Sequence, residues 1–243
     1  RWFGLLDKPG ISTFILLLVF AMACCAALGV LIERLAYRPL RNAPRLNVLI
    51  TAIGVSLFLQ YTGQIVFGAD PKVFPTLIED ATLASIEGVA IRSFDVAIFG
   101  VTVFFMIVLT YLIQATKIGK AMRAVSANRT VASLMGIDPN RVIMFTFIVG
   151  SSLAAVGAVL VGMKYPKIDP LMGTLFGLKA FVAAVLGGIG NLPGAVVGGL
   201  LMGLCEEMVV GYISSTYRDA FAFGILILIL FFRPAGLLGK ASQ

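Results

Sequence analysis

Two stretches of this chain hold residues whose types and spacing could do more than pack, and neither is a catalytic constellation. The first is Gly119 to Arg141, GKAMRAVSANRTVASLMGIDPNR, where Lys120, Arg123 and Arg129 are interspersed with Ala121, Val125, Val131, Leu134 and Met135. Bases mixed with apolar residues in a helix-prone stretch suit a segment that lies against a surface. The second is Gly187 to Gly194, GGIGNLPG. Its glycines are entropically costly in a helix and its proline lacks an amide donor, so no continuous helix runs through it. Bare backbone of this kind is tolerated at membrane depth only where protein or a water-filled cavity surrounds it, so the turn is either a re-entrant break facing a pathway or a tight cytoplasmic turn. Broken helices can present half-helix ends to ionised substrates, which makes Gly187, Gly188, Gly190, Asn191, Pro193 and Gly194 candidate pathway residues. Lys179 joins them as the one ionisable side chain well inside an apolar stretch, where such a residue is a functional candidate by default. It lies a turn or two from the end of that stretch, so snorkelling toward headgroups is the competing and cheaper explanation.

Nucleotide and catalytic chemistry find no footing. Gly119-Lys120 and Gly239-Lys240 lack the upstream glycine and the following hydroxyl of a Gly-x-x-x-x-Gly-Lys-Ser/Thr loop, so no ATP site of that type is expected. Histidine is absent, and Cys24, Cys25 and Cys205 fall in apolar stretches, where they read as packing residues rather than disulfides or metal ligands. No nucleophile–base pair can be assembled. The expectation is a chain that is not an enzyme, with no catalytic residues, no metal and no cofactor of its own.

The elements that must position these stretches follow from composition. Hydrophobic residues make up 59% of the 243 and charged residues 13%, and mean hydropathy is +1.00. That is far beyond the apolar share of a soluble domain. Runs long enough to cross the hydrocarbon core recur along the whole length. The fold class is therefore all-α: a polytopic transmembrane helix bundle forming one domain over residues 1–243. Six membrane-entering segments are expected at about 12–32, 48–67, 96–115, 142–162, 171–210 and 220–232, the fifth being a helical hairpin broken at its glycines. Glycines spaced by four, at Gly190, Gly194 and Gly198, at Gly199 and Gly203, and at Gly173 and Gly177, would let helix backbones approach closely. Arg1 is not a start methionine and no signal peptide precedes the first run, so N-terminal spans are expected to be missing.

Charge orients the spans. One side collects eleven bases, among them Arg34, Arg38, Arg41 and the bases of the 117–141 loop, against Glu33 and Asp138; the other collects seven bases against ten acids. By the positive-inside rule the basic side is cytoplasmic, and five crossings apart from the hairpin put the C-terminus there. The acidic loop 68–95 alternates Ile86, Val89 and Ile91 with polar neighbours, which allows a short strand or hairpin. In the basic loop, residues 117–135 are good helix formers, Gly136 stops the helix, and Asp138-Pro139 starts the next. Such a helix could rest on lipid headgroups, remain a solvated loop, or fit a groove on a partner.

This loop, together with GLKAFVAAVLGGIGNLPGAVVGGLLMG from Gly177 to Gly203, closely resembles the LivH-type permeases of branched-chain amino acid ABC importers. The likeness also runs through Glu33-Arg34, Tyr37-Arg38-Pro39-Leu40-Arg41 and Arg233-Pro234-Ala235-Gly236-Leu237-Leu238-Gly239. It implies that loop 117–141 is the coupling segment seated in a cleft of an ATPase subunit. The residues it assigns to that role are Gly119, Lys120, Met122, Arg123, Ala124, Asn128, Arg129, Ala132, Leu134, Met135 and Gly136. Acidic residues often found in such coupling helices are replaced here by Asn128 and Thr130. Also implied are a second permease subunit, two ATPases that bind the ATP, an external amino-acid-binding protein, and residence in a bacterial inner membrane, with no nucleic-acid partner. LivH-type chains carry additional N-terminal spans. Related permeases move urea or other amides, which is an alternative of the same type. An ion-coupled secondary transporter is the alternative of a different class; it needs an intramembrane acid, and Glu33, Glu206 and Glu207 all fall near span ends.

Overall fold

The computed structural model describes residues 10–41, 43–74, 82–86, 89–188, 190–233 and 236–239. Ile189, Pro234-Ala235 and Pro75 lie outside the described residues, as do Arg1, Asp7, Lys8, Glu79, Asp80, Glu87 and Lys240 of the charge pattern. Uninterrupted apolar sequence becomes helix because buried or lipid-facing backbone must satisfy its own hydrogen bonds. Among the described residues five helices are long and apolar enough to cross a membrane: Ile11–Tyr37, Leu46–Phe67, Ser93–Ala115, Pro139–Lys164 and Leu192–Tyr212. Met172–Gly187 and Arg218–Phe232 are shorter. The broken pair thus separates into two limbs, giving seven apolar helices where six segments were counted.

Two compact units divide the chain, Arg1–Pro170 and Leu171–Gln243. The first holds α1 (Ile11–Ile32), α2 (Arg45–Phe67), β1 (Lys72–Val73), β2 (Thr82–Ile86), β3 (Val89–Arg92), α3 (Ser93–Ala115), α4 (Lys117–Ala127), α5 (Arg129–Leu134), α6 (Pro139–Lys164) and β4 (Lys167–Ile168). Its core is the pair α1 and α6, where Phe14 and Leu18 meet Val156, Val159 and Leu160, and α3 lays Ile98, Val101 and Phe105 against them. The Tyr37 ring sits 5.0 Å from that of Phe147, so the end of α1 meets the start of α6 and the two helices are antiparallel. The acidic loop forms the expected hairpin, β2 pairing antiparallel with β3, and β1 pairs with β4.

At its end α1 widens into a π turn, Glu33–Tyr37, in which the Arg38 amide reaches back to the Glu33 carbonyl. Glu33 is only 2% exposed. A carboxylate so deeply placed is tolerable only with a partner, and Arg41 donates to it through Nη2. The charge count alone treats Glu33 and Arg41 as ordinary loop charges; the structure makes them an internal pair.

The second unit holds α7 (Met172–Gly187), α8 (Leu192–Tyr212) and α9 (Arg218–Phe232). Val182, Met202 and Ala222, one from each helix, form its buried centre.

Candidate functional site

The basic loop folds into two helices, not the single helix 117–135 expected from its composition. Asn128 is the reason. It leaves the helical region at φ −157° and ψ 114°, and its Oδ1 accepts from the amides of Thr130 (3.0 Å) and Val131 (3.2 Å). An asparagine that caps a new helix ends the old one. Gly136 stops α5 as expected, with φ +80° and the paired bonds Ile137 to Ala132 and Gly136 to Ser133 that close a Schellman turn. Asp138 then caps α6 through the Asn140 amide at 2.9 Å, with Pro139 in the first turn.

Several of the proposed docking residues turn out to fasten this loop to the span before it. A Cβ on Gly119 would lie 2.2 Å from the Ile113 carbonyl and 2.4 Å from that of Leu112, so α4 folds back against the end of α3 at a distance only glycine permits. Thr116 caps α4, accepting from the Gly119 amide at 3.1 Å. Arg123 donates through Nη1 to the Ile113 carbonyl, supplying a cation at the C-terminus of α3. Val125 and Ala132 are buried, and Met122 and Ala124 are half-buried.

The outer surface is made by other residues. Leu134 is 81% and Met135 77% exposed, and Val131, at helical spacing from both, is exposed too. Lys120, Arg129 and Gly136 are exposed beside this apolar patch. Patch and basic rim match the requirement for a helix that fits a partner's groove. Val131, 54% exposed, is an apolar residue of the loop outside the set assigned to coupling; its i, i+3, i+4 relation to Leu134 and Met135 was the available signal.

The glycine-broken hairpin is a close crossing of backbones. A Cβ on Gly187 would meet the Gly194 carbonyl oxygen at 2.0 Å, and one on Gly198 would meet the Ala183 oxygen at 2.3 Å. Gly188 and Gly190 have φ of 105° and 92°, and Pro193 sits in the first turn of α8. The chain after α9 returns to this turn. Leu237 and Leu238 donate their amides to the Leu186 (2.8 Å) and Gly187 (3.2 Å) carbonyls. Asn191 both caps α8, accepting from Gly194 at 3.3 Å, and donates Nδ2 to the Leu238 carbonyl at 2.8 Å. The terminal carbonyls of α7 are thus satisfied by a strap from the tail. By contrast, a Cβ on Gly173, Gly177 or Gly203 would meet nothing within 4 Å among the described residues, so their spacing marks no packing within this chain.

Lys179 stands apart from the turn, about 12 Å along α7 from Gly187 at 1.5 Å per residue. It does not reach out to headgroups alone, as the snorkelling reading expects. Its Nζ lies 3.2 Å from Glu206 and 2.8 Å from Asp219. Arg218 places Nε 3.7 Å from Glu206 and pairs through Nη2 with Glu207. Three carboxylates and two bases therefore interlock α7, α8 and the start of α9, and Glu206 keeps one buried oxygen, Oε1, without a partner. Lys179 and the consecutive Glu206 and Glu207, charged residues in apolar surroundings, were the sequence signal for this network.

In the first unit an open cleft of about 280 Å³ lies where α2 ends and β1 pairs with β4. Leu59, Phe67, Ile168 and Pro170 give it apolar walls, and Asp70 and Lys72 place one charge of each sign on its lining.

Comparison with known proteins covers nearly the whole chain. No solved structure matches significantly. The BraD permease protein of a high-affinity branched-chain amino acid transport system from Pseudomonas aeruginosa is 44% identical, over 97% of this chain and 79% of its own length. The LivH permease protein of Escherichia coli K12, of a system with the same description, is 41% identical over 91% of this chain and 73% of its own. A probable branched-chain amino acid permease protein LivH from Methanocaldococcus jannaschii is 32% identical over 86% and 70% respectively. With residues 2–230 matched by the family described as branched-chain amino acid transport system / permease component, the chain belongs to that family and is a multi-pass membrane protein.

Proposed function

We propose that this chain is the permease subunit of an ABC importer for branched-chain amino acids, driven by ATPase subunits that dock on α4 and α5. The observation that carries the docking is the exposed triad Val131, Leu134 and Met135 on a loop that Gly119, Arg123, Val125 and Ala132 fasten to the bundle. A solvated loop has no reason to keep two large apolar side chains more than three-quarters exposed beside arginine and lysine. ATP is held by the partners, a second permease subunit completes the path, and an external binding protein delivers the substrate. The basic bias of one set of loops supports the reading that this side, with the C-terminus, is cytoplasmic. At the opposite end of the first unit, the cleft at Asp70 and Lys72 suits a ligand with one charge of each sign and an aliphatic side chain.

The test is a pair of single substitutions in the full chain co-expressed with its ATPases. Fully burying one Leu or Met side chain contributes about 1.5–3 kcal/mol. Leu134→Asp or Met135→Asp is therefore expected to weaken ATPase association about 10- to 150-fold while insertion and helix content are kept. Undiminished co-purification of the ATPases with both variants would end the docking assignment. Uptake of labelled leucine by the assembled importer should vanish when the ATPases cannot hydrolyse ATP; uptake that persists and follows an ion gradient would assign secondary transport instead.

A further inference from the structure

A second cleft, of about 350 Å³, opens between the end of α1 and the start of α6, lined by Glu33, Arg34, Arg38, Asp138, Arg141 and Met144 among others. Its charges do not balance. The Glu33 carboxylate is already held by Arg41 from outside the lining. Asp138 is shared between the Asn140 amide and Arg141, whose Nε is 3.4 Å away. Arg34 and Arg38 are left over: among the described residues no carboxylate lies within ion-pair distance of either. They are four residues apart at the end of a helix, an arrangement that is self-repulsive unless an anion sits between them. Two guanidiniums with free donor edges match the oxygens of a phosphate, which arginine can engage bidentately.

The surroundings indicate what carries that phosphate. Leu31 and Leu35, each three residues before one of these arginines, are both more than half exposed and form an apolar ridge next to the basic one. The cleft ends the span that has the most apolar 18-residue stretch among the described residues, Ile11–Tyr37, whose mean hydropathy over that stretch is 2.9. An apolar ridge one turn before each arginine of a basic cleft at the span's water end fits a ligand that is itself half chain and half anion. We propose that this cleft binds the headgroup phosphate of an anionic phospholipid, with Arg34 and Arg38 as the binding residues and Leu31 and Leu35 along the acyl chain. Basic pockets between membrane helices are suited to such headgroups. The inference needs the chain to span a membrane and is independent of which solute it moves.

The experiment uses the purified full chain in mild detergent, titrated with phosphatidylglycerol or phosphatidylcholine and read by native mass spectrometry. Phosphatidylglycerol is expected to bind saturably and phosphatidylcholine not. In Arg34→Gln/Arg38→Gln the affinity should fall about 30-fold, each guanidinium near an anionic headgroup being worth roughly a factor of five. Lys164→Gln, which removes an exposed base at the far end of α6 from the cleft, should leave it unchanged, and circular dichroism should show both variants folded. Millimolar inorganic phosphate should displace the lipid no better than chloride of matched ionic strength. Equal lipid affinity in the double glutamine variant and the parent would overturn the site. Displacement specific to inorganic phosphate, with both lipids bound alike, would also overturn the proposal and assign the cleft to a soluble phosphate.

Discussion

Gly198→Ala and Gly203→Ala are the same chemical change in the same helix, and the structure gives them opposite consequences. A methyl on Gly203 meets nothing within 4 Å, whereas one on Gly198 would lie 2.3 Å from the Ala183 carbonyl oxygen and 2.7 Å from the Gly187 amide nitrogen. Both are backbone atoms that cannot swing aside, so α7 and α8 must separate. Replacing a mid-helix glycine by alanine gains up to about 1 kcal/mol of helix propensity at either site, and this cancels in the difference between the two variants. What survives is the overpacking term, about 1–3 kcal/mol for an extra methyl group in a filled space. Separation of the limbs adds to it, because the tail strap depends on their register: Leu237 and Leu238 bond the Leu186 and Gly187 carbonyls. Reversible denaturant titration of the purified chain in mixed micelles, followed by far-UV circular dichroism, measures the two stabilities directly. Gly203→Ala should equal or exceed the parent and Gly198→Ala should fall below it. Equal stabilities within about 0.5 kcal/mol would refute the close crossing, since a surface change of this kind is normally confined to that range.

Three further outcomes follow from named contacts. Asn128→Ala removes both side-chain bonds to the first turn of α5, and a helix of six residues has little else to hold it. A loss of about 1 kcal/mol is expected, seen as faster amide exchange at Thr130 and Val131, while Asn128→Asp keeps the cap. Lys179→Met leaves Glu206 with only Arg218 at 3.7 Å. The network is part-buried, so the loss should fall near 2 kcal/mol, between an exposed pair and a buried one. Lys179→Met/Glu206→Gln should recover at least ~1 kcal/mol in a double-mutant cycle, and strictly additive losses would remove the pairing. Arg123→Ala frees α4 from the Ile113 carbonyl without touching the exposed triad. ATPase association should persist while uptake per ATP hydrolysed drops severalfold; loss of association itself would place Arg123 in the interface.

Much of the architecture was legible because membrane helices are encoded in one dimension. Residues 11–32 contain no charge at all, and no tertiary contact is needed to infer a span there. Gly136 and Asp138-Pro139 were legible for a related reason, since capping chemistry is complete within four or five residues. Asn128 was equally local, but it sits in a run of helix formers whose summed propensity favours one helix, and a single capping bond pair outweighs that sum. The remaining failures are long-range. Nothing adjacent to Glu33 announces that Arg41 folds onto it, and Lys179 and Glu206 are 27 residues apart. The four-residue glycine spacing identifies faces able to pack, yet among the described residues the face through Gly194 and Gly198 is packed while a Cβ on Gly173, Gly177 or Gly203 would meet nothing within 4 Å. The strap from Gly236 to Leu238 belongs to the same class, because its partners are carbonyls that every residue possesses.

The loop's two kinds of residue explain each other. Had every proposed docking residue been exposed, an ATPase could grip the loop, but a flexible connection would absorb the displacement. Here Gly119 holds α4 against the last carbonyls of α3, Arg123 bonds the same turn, and Val125 and Ala132 are buried against the bundle. The exposed apolar residues of α5 and its end, Val131, Leu134 and Met135, with the bases beside them, are left to be gripped. Through the Schellman turn and the Asp138 cap, α5 passes into α6 within four residues, and α6 is the helix on which α1 packs. A displacement at Leu134 therefore has a short, hydrogen-bonded route to α3 on one side and to the α1–α6 core on the other. Packed elements of this kind shift as rigid bodies rather than deform. Motion taken up on the exposed side chains would thus be delivered to the spans, and on the proposed coupling role the residues bound to the bundle would matter as much as the exposed ones.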